Sequence, residues 1–243
     1  MKILKFGGKS LANGEGLQKV LAILTDKVLK GEEFAVVVSA RGNATDELED
    51  LLAIASKNEN YKPLFEKFKA YQQADYPTVD LSEEFTVLEK LFEGVSLIGD
   101  YSEKIKDQVL SQGELLSAKL ITAILKQKGV NANFADARAL IKTDGKFGDA
   151  QPIEQVSKKN VVQFFKQHSD KVNIITGFIG SNNKNEATTL GRNGSNYTAS
   201  LFANYLNASE LQNFTHVDGI YTANPELVED AKNDAAAFDK TAQ

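Results

Sequence analysis

Five consecutive apolar residues, Phe34-Ala35-Val36-Val37-Val38, restrict the fold more than any other feature of the chain. The run has strand length and shows no polar alternation, so both faces of that strand must be covered. Cover on both faces is the property of a parallel sheet lying between helices. The residues upstream agree with this. Lys2 to Phe6 is short, alternating and followed by Gly7-Gly8, which reads as a strand running into a tight turn. Leu17, Val20, Leu21, Leu24 and Val28 then recur at helical spacing, and Gly31 stops the helix. Strand, helix, strand is a βαβ unit with a right-handed crossover.

The remaining pattern extends the same architecture. Ala132 to Ala135, Val172 to Thr176 and Leu211 to Thr215 read as further strands, and Val156 to His168 reads as a helix. Helices are also expected from Leu48, Leu51, Leu52 and Ile54, and from Ala199, Leu201, Phe202 and Leu206. Ser181 to Glu186 is a polar hairpin tip. Ser111-Gln112-Gly113-Glu114 is expected to open a helix, placing Glu114 in a first turn where the dipole favours a carboxylate. The stretch 61–110 is charged and helical in pattern, with breaks at Pro63 and Pro77. It is expected to cover one side of the sheet, as an interface, a lid or a solvated helical hairpin. The sheet reads as continuous from Lys2 to Thr215, so one domain is expected over 1–232, with a disordered polar tail over 233–243.

Composition removes several classes of function. The net charge of −5 argues against a nucleic-acid footprint. There is no cysteine, so neither disulfides nor thiolate metal sites are available, and two histidines argue against a zinc enzyme. No apolar run approaches the roughly 20 residues needed to span a bilayer, and the N-terminus has no signal-peptide character. The expected location is cytoplasmic.

In an open α/β sheet, ligands sit outside the carboxyl ends of the strands. Three polar stretches are placed there: Gly7-Gly8, the loop Ser39-Ala40-Arg41-Gly42-Asn43-Ala44-Thr45-Asp46, and Thr189-Leu190-Gly191-Arg192-Asn193-Gly194-Ser195-Asn196-Tyr197. Asn43 or Thr45 can cap the helix after the second stretch, and Ser195 or Asn196 the helix after the third. Glycines allow positive φ and close approach to a ligand, and a helix N-terminus offers unpaired N–H groups and a positive dipole end. Lys5 adds a point charge, and Arg192 adds a fork suited to a carboxylate or phosphate. The combination describes a polyphosphate site of the kind phosphoryl transfer needs, though neither a P-loop nor a protein-kinase signature is present. For each stretch the plain alternative is an ordinary connecting loop.

Six segments, in order, resemble the aspartate kinase family: Lys5-Phe6-Gly7-Gly8-x-Ser10, Val38-Ser39-Ala40-x-Gly42-Asn43-x-Thr45-Asp46, Gly113-Glu114, Gly177-Phe178, Thr189-Leu190-Gly191-Arg192-x-Gly194-Ser195 and Val217-Asp218-Gly219-Ile220-Tyr221-Thr222. The resemblance implies an amino-acid-kinase-like three-layer α/β/α sandwich with a central, mostly parallel sheet. It implies transfer of the ATP γ-phosphate to the side-chain carboxylate of L-aspartate, with Mg2+. Lys5 would stabilise the transferring group, and Gly7, Gly8, Ser10 and Gly194 would line the phosphates. Glu114 would hold the substrate ammonium and Arg192 its α-carboxylate. Ser39, Thr45, Phe178 and Ser195 would complete the pocket, and Thr215, His216, Asp218 and Tyr221 would lie along the nucleotide. No protein metal ligands are assigned, and a homo-oligomer is allowed for.

The chain departs from that pattern at named positions. Lys9 stands where the family has threonine, and Asn196 stands at the catalytic position where it has aspartate. His216 and Asn224 also replace aspartates, and Glu226 replaces arginine. The family continues into a further lysine-bearing segment and regulatory ACT domains, so the chain is expected to be a catalytic part. The Asn-Gly-Ser turn resembles the form fused to homoserine dehydrogenase. Two other readings stay open: a kinase of another amino acid such as acetylglutamate or glutamate, and a protein that binds ATP or amino acid without turnover.

Overall fold

The computed structural model describes residues 1–74 and 76–214. Its centre is a sheet in which the described residues supply five strands, β1 (Lys2–Phe6), β2 (Phe34–Val38), β3 (Ala132–Ala135), β4 (Val172–Thr176) and β7 (Glu210–Phe214), in the order β3-β4-β2-β1-β7. Every pairing among them is parallel, with Phe6 beside Val38 and Phe214, and Val38 beside Thr176. The carboxyl ends of β1, β2, β4 and β7 therefore share one edge. A small antiparallel ribbon, β5 (Ile179–Ser181) with β6 (Ala187–Thr189), brackets the polar tip read from the sequence.

Among the described residues, eight α-helices flank the strands: α1 (Glu15–Leu29), α2 (Ala44–Ser56), α3 (Lys62–Gln73), α4 (Ser82–Ile98), α5 (Glu103–Gln127), α6 (Ala137–Leu140), α7 (Glu154–Gln167) and α8 (Gly194–Tyr205). Strand alternation assigns the two layers. Leu4, Phe6, Val36, Val38 and Ile174 pack into one core with α1 to α5. Ile3, Ala35, Val37 and Ile175 pack into the other with Val161 and Phe165 of α7 and Ala199 and Phe202 of α8. The apolar run of β2 is thus buried on both faces, as its composition requires. The result is the three-layer α/β/α sandwich.

The structure corrects two expectations. The stretch 61–110 is not a solvated hairpin. Phe65 and Phe68 of α3, and Leu88, Phe92 and Val95 of α4, are buried in the main core, with Phe65 and Phe92 in edge-to-face contact at 5.4 Å. Alternating charge marked one face of these helices and concealed the aromatic stripe on the other. Nor does a helix open at Ser111: α5 starts at Glu103, capped by Ser102, whose Oγ accepts the Ile105 N–H. Glu114 therefore lies mid-helix, away from the helix end and its dipole. Gly113 misled the reading because glycine suggests a helix boundary. Its reason is space: a Cβ there would lie 2.9 Å from the Ala40 Cβ.

Candidate active site

The shared edge of the sheet opens onto a cleft of about 400 Å3. Ten of the residues singled out above line it: Lys5, Gly8, Ser39, Thr45, Glu114, Phe178, Arg192, Gly194, Ser195 and Asn196. Ala40, Gly42, Asn43, Asp46, Gly191 and Asn193 join them. Gly7 sits beside the cleft, where its ideal Cβ would lie 3.5 Å from the Lys5 Nζ. Ser10 falls in a 3-10 turn (Lys9–Leu11) and is not part of the lining. Thr215, His216, Asp218 and Tyr221 lie outside the described residues. A larger cavity of about 580 Å3 opens near Met1, Phe34 and Val172, at the opposite ends of the strands from the glycine loops.

The strand ends are knitted together by backbone bonds. Ser39 N–H donates to Phe6 O at 3.1 Å, Gly177 N–H to Val38 O at 2.8 Å, and Gly42 N–H to Gly8 O at 2.9 Å. Gly8 has φ −56, a conformation open to any residue, so space and not flexibility requires glycine there. A Cβ would sit 2.7 Å from Ala40 O and 2.8 Å from Gly42 O, both main-chain atoms. Gly8→Ala is expected to force the two loops apart and to lower stability by roughly 1–3 kcal/mol. Thermal unfolding checks this: each kcal/mol corresponds to about 2–4 °C in a chain of this size. An unchanged melting temperature would show that the loops are not in contact.

Arg41, fully buried, fixes both loops to the helical layer. Its Nε donates to Leu11 O at 3.1 Å and its Nη1 to Gln72 O at 2.6 Å, while Nη2 donates to Asn13 Oδ1. The guanidinium also stands over the Tyr71 ring, 5.7 Å from its centroid. Sequence reasoning placed Arg41 in a ligand loop and missed that it is structural.

Two helix N-termini converge on the cleft. Asn43 occupies the cap position of α2 and Asn193 that of α8, and neither makes a side-chain capping bond. The expected caps Thr45, Ser195 and Asn196 lie inside the helices instead. Uncapped first turns directed at one cavity make it attractive to anions. In the turn before α8, the positive φ values belong to Gly191 (+71) and Asn193 (58). Gly194 is there for clearance, since its Cβ would meet Phe178 Cδ2 at 2.6 Å. Phe178 itself has φ 66, an uncommon conformation for an aromatic residue. It is held there by its N–H donating to Thr198 Oγ1 at 3.0 Å and by its carbonyl accepting from Leu190 N–H at 2.8 Å. Thr198 carried no sequence signal.

The charges in the cleft are arranged unequally. Lys5 is 9% exposed, and among the described residues it makes no ion pair. It shares a strand face with Ile3, the face covered by α8. Burial holds its pKa below the usual lysine value. Glu114 is 2% exposed. Its Oε1 accepts the Ala40 N–H at 3.1 Å, and its Oε2 is buried with no partner among the described residues. Burial, only partly opposed by backbone hydrogen bonds, pushes the carboxyl up to about 8. Arg192, by contrast, is exposed, in the turn before α8. A buried carboxyl with an unused oxygen calls for a cation; a buried ammonium with no counter-ion calls for an anion. Among the described residues no group of three or more His, Asp or Glu is placed to hold a metal ion. No helix among them is long and apolar enough to cross a membrane.

Comparison with known proteins agrees with this geometry. The model of the amino acid kinase family matches residues 1–233. The lysine-sensitive aspartokinase 3 of Escherichia coli is 34% identical over 99% of this chain and 55% of its own length. A chloroplastic bifunctional aspartokinase/homoserine dehydrogenase of Arabidopsis thaliana is 31% identical over 93% of this chain and 26% of its own length. The crystal structure of E. coli aspartokinase III in complex with aspartate and ADP superposes with a TM-score of 0.84 at 32% identity, covering 96% of this chain and 53% of that one. The chain thus spans about half the length, or less, of these relatives.

Proposed function

The chain belongs to the amino acid kinase family, and within it we propose that it is an aspartate kinase, transferring the ATP γ-phosphate to the side-chain carboxylate of L-aspartate. The observation that carries this reading is Glu114, a buried carboxyl whose free oxygen has no partner among the described residues, in a cleft that also holds Arg192. A free amino acid brings one ammonium and one α-carboxylate, and these two side chains are the complementary pair. Ser39, Thr45, Phe178 and Ser195 complete the pocket around the side chain. The relative crystallised with aspartate and ADP supports the same ligands.

The reaction joins a β-carboxylate oxygen to the γ-phosphorus and breaks the bond from that phosphorus to the β,γ-bridging oxygen, giving an acyl phosphate and ADP. The protein has no bond of its own to make, so its contribution is positioning and charge balance. Lys5 meets the charge that moves onto the phosphate oxygens. Gly7, Gly8 and Gly194 let those oxygens come close to the backbone, and the uncapped N-termini of α2 and α8 offer them N–H groups, while the Gly7 and Gly194 N–H groups themselves donate to Phe214 O and Gly191 O. Mg2+ would ride on the nucleotide's phosphates. Asn196, on the rim, can donate to a phosphate oxygen but cannot supply the negative charge of an aspartate at that position. That difference favours binding without turnover as the second reading.

Trapping the product with hydroxylamine separates the readings. The protein with Mg-ATP and L-aspartate is expected to yield aspartyl hydroxamate, and N-acetyl-L-aspartate, which has no ammonium for Glu114, at least about 100-fold less. The ratio follows from losing a charge-assisted hydrogen bond between ammonium and carboxylate, worth up to about 3 kcal/mol, at about 1.4 kcal/mol per factor of ten. ADP binding without hydroxamate would replace the kinase reading with the second one. Equal use of the acetylated substrate would remove Glu114 from amine recognition.

A further inference from the structure

Asp107 is a second buried carboxyl on α5, 1% exposed, and it is not among the residues that line the cleft. It lies about two helical turns before Glu114, on the same side of the helix, roughly 10 Å away along the axis. Its hydrogen bonds go to the segments beneath the Arg192 turn. Its Oδ2 accepts the Gly148 N–H at 2.9 Å and the Thr189 N–H at 2.9 Å. Its Oδ1 accepts the Thr189 Oγ1–H at 2.8 Å. Thr189 ends β6, and Arg192 is three residues further on. The loop carrying Gly148 is tied to the same place, since Ala150 N–H donates to Thr189 O at 2.9 Å. The Asp149 carboxylate sits so close to Gly191 that a Cβ there would lie 2.8 Å from its Oδ1.

We infer that Asp107 is a positioning residue for amino-acid recognition: it anchors the turn bearing Arg192 to the helix bearing Glu114, and so sets the spacing between the cation partner and the anion partner of the substrate. This rests on the aspartate reading of the cleft. The physical argument is one of rigidity. Glu114 is fixed by its place in the middle of a long helix. Arg192 lies on an exposed turn that β6 and its ribbon partner alone would hold by few bonds. A carboxylate accepting two hydrogen bonds from that turn's base and a third from the Gly148 loop tied to it transfers the helix's rigidity to it. The phosphate loops after β1 and β2 are held by other bonds, through Gly8 and Arg41, and the start of α8 has its own tie, Phe178 N–H to Thr198 Oγ1, so ADP binding depends on this anchor far less than aspartate binding does.

Asp107→Asn keeps the shape, but with its oxygen on the two backbone N–H groups it turns an NH2 to Thr189 Oγ1 and replaces charge-assisted bonds by weaker neutral ones. Calorimetry should show aspartate binding weakened by about tenfold or more and ADP binding changed by less than about twofold. In an Arg192→Ala background the same substitution should add less than about twofold, because the turn then has nothing left to position. A purely structural role would weaken both ligands together or neither, and would be additive with Arg192→Ala; either result overturns the inference. If Asp107→Asn does not fold, Thr189→Val, which removes only the Oγ1 bond, is read in its place. About threefold weaker aspartate binding with ADP unchanged supports the anchor, and unchanged aspartate binding overturns it. An unsubstituted protein that binds no aspartate contradicts the aspartate reading itself, a result distinct from normal binding that Asp107→Asn leaves intact.

Discussion

Lys5→Met is expected to lower turnover by about 10^3-fold, in the range seen when a single stabilising group is removed from a preorganised site, while leaving the fold intact. The expectation comes from how Lys5 is housed. It lies near the end of β1, just before the Gly7-Gly8 bend, buried, on a strand where its neighbours are Val37 and Asn213. Among the described residues no carboxylate pairs with it, and burial depresses its pKa. A lysine kept in that condition costs stability in the free protein, so methionine, of similar length and apolar, should be neutral or stabilising. A polyphosphate reverses the situation by supplying the missing counter-charge. The informative comparison is therefore melting temperature against kcat. A maintained or raised melting temperature with turnover lost is the expected pair. Turnover within tenfold of the unsubstituted protein would remove Lys5 from the chemistry.

Glu114→Gln should have two effects of opposite sign. It should abolish aspartate binding, since the amide offers the substrate ammonium no charge. It should also stabilise the ligand-free protein at alkaline pH. The carboxyl is raised from 4.5 in the unfolded chain to about 8 in the folded one. Between those values the folded state holds more protons than the unfolded state, so stability falls as pH rises. Its contribution is fully present below about pH 4.5 and is lost progressively up to about pH 8. At about 1.4 kcal/mol for each tenfold change in proton affinity, the whole effect amounts to a few kcal/mol. Denaturant unfolding at pH 6 and pH 8.5 tests this. The unsubstituted protein should lose more stability over that interval than Glu114→Gln, and the difference should shrink when aspartate is present. Parallel pH dependence in the two proteins would mean that the carboxyl is ionised throughout.

The strands and the layer order could be read from the chain because each rests on local pattern. The apolar run 34–38 requires burial on both faces, and the glycine-rich stretches fall after strands. The strand-end part of the cleft's lining was legible for the same reason, since in a parallel sheet residues just beyond strand ends meet, whereas Glu114 and Phe178 entered only through the family resemblance. What could not be read is set by contacts distant in sequence. Gly113 looks like a helix boundary until Ala40 is known to lie against it. Arg41 reads as one residue of a polar ligand-side loop until Leu11 and Gln72 take its donors. Asp107 looks like any acidic residue in a charged stretch until Thr189, far along the chain, is folded beneath it. The helices of 61–98 show the same limit, because their charged faces are visible in the sequence and their partners are not.

Recognition of a free amine through Glu114 is measured most directly by proton release on aspartate binding. Calorimetric titrations at pH 7, in buffers of different ionisation enthalpy, give the number of protons exchanged. With the carboxyl near 8 in the free protein, most of it is protonated at pH 7, and an arriving ammonium should displace that proton. Nearly one proton released per aspartate at pH 7, falling toward none by pH 9 and absent in Glu114→Gln, is the predicted result. Aspartate binding with no proton released at pH 7 would contradict it.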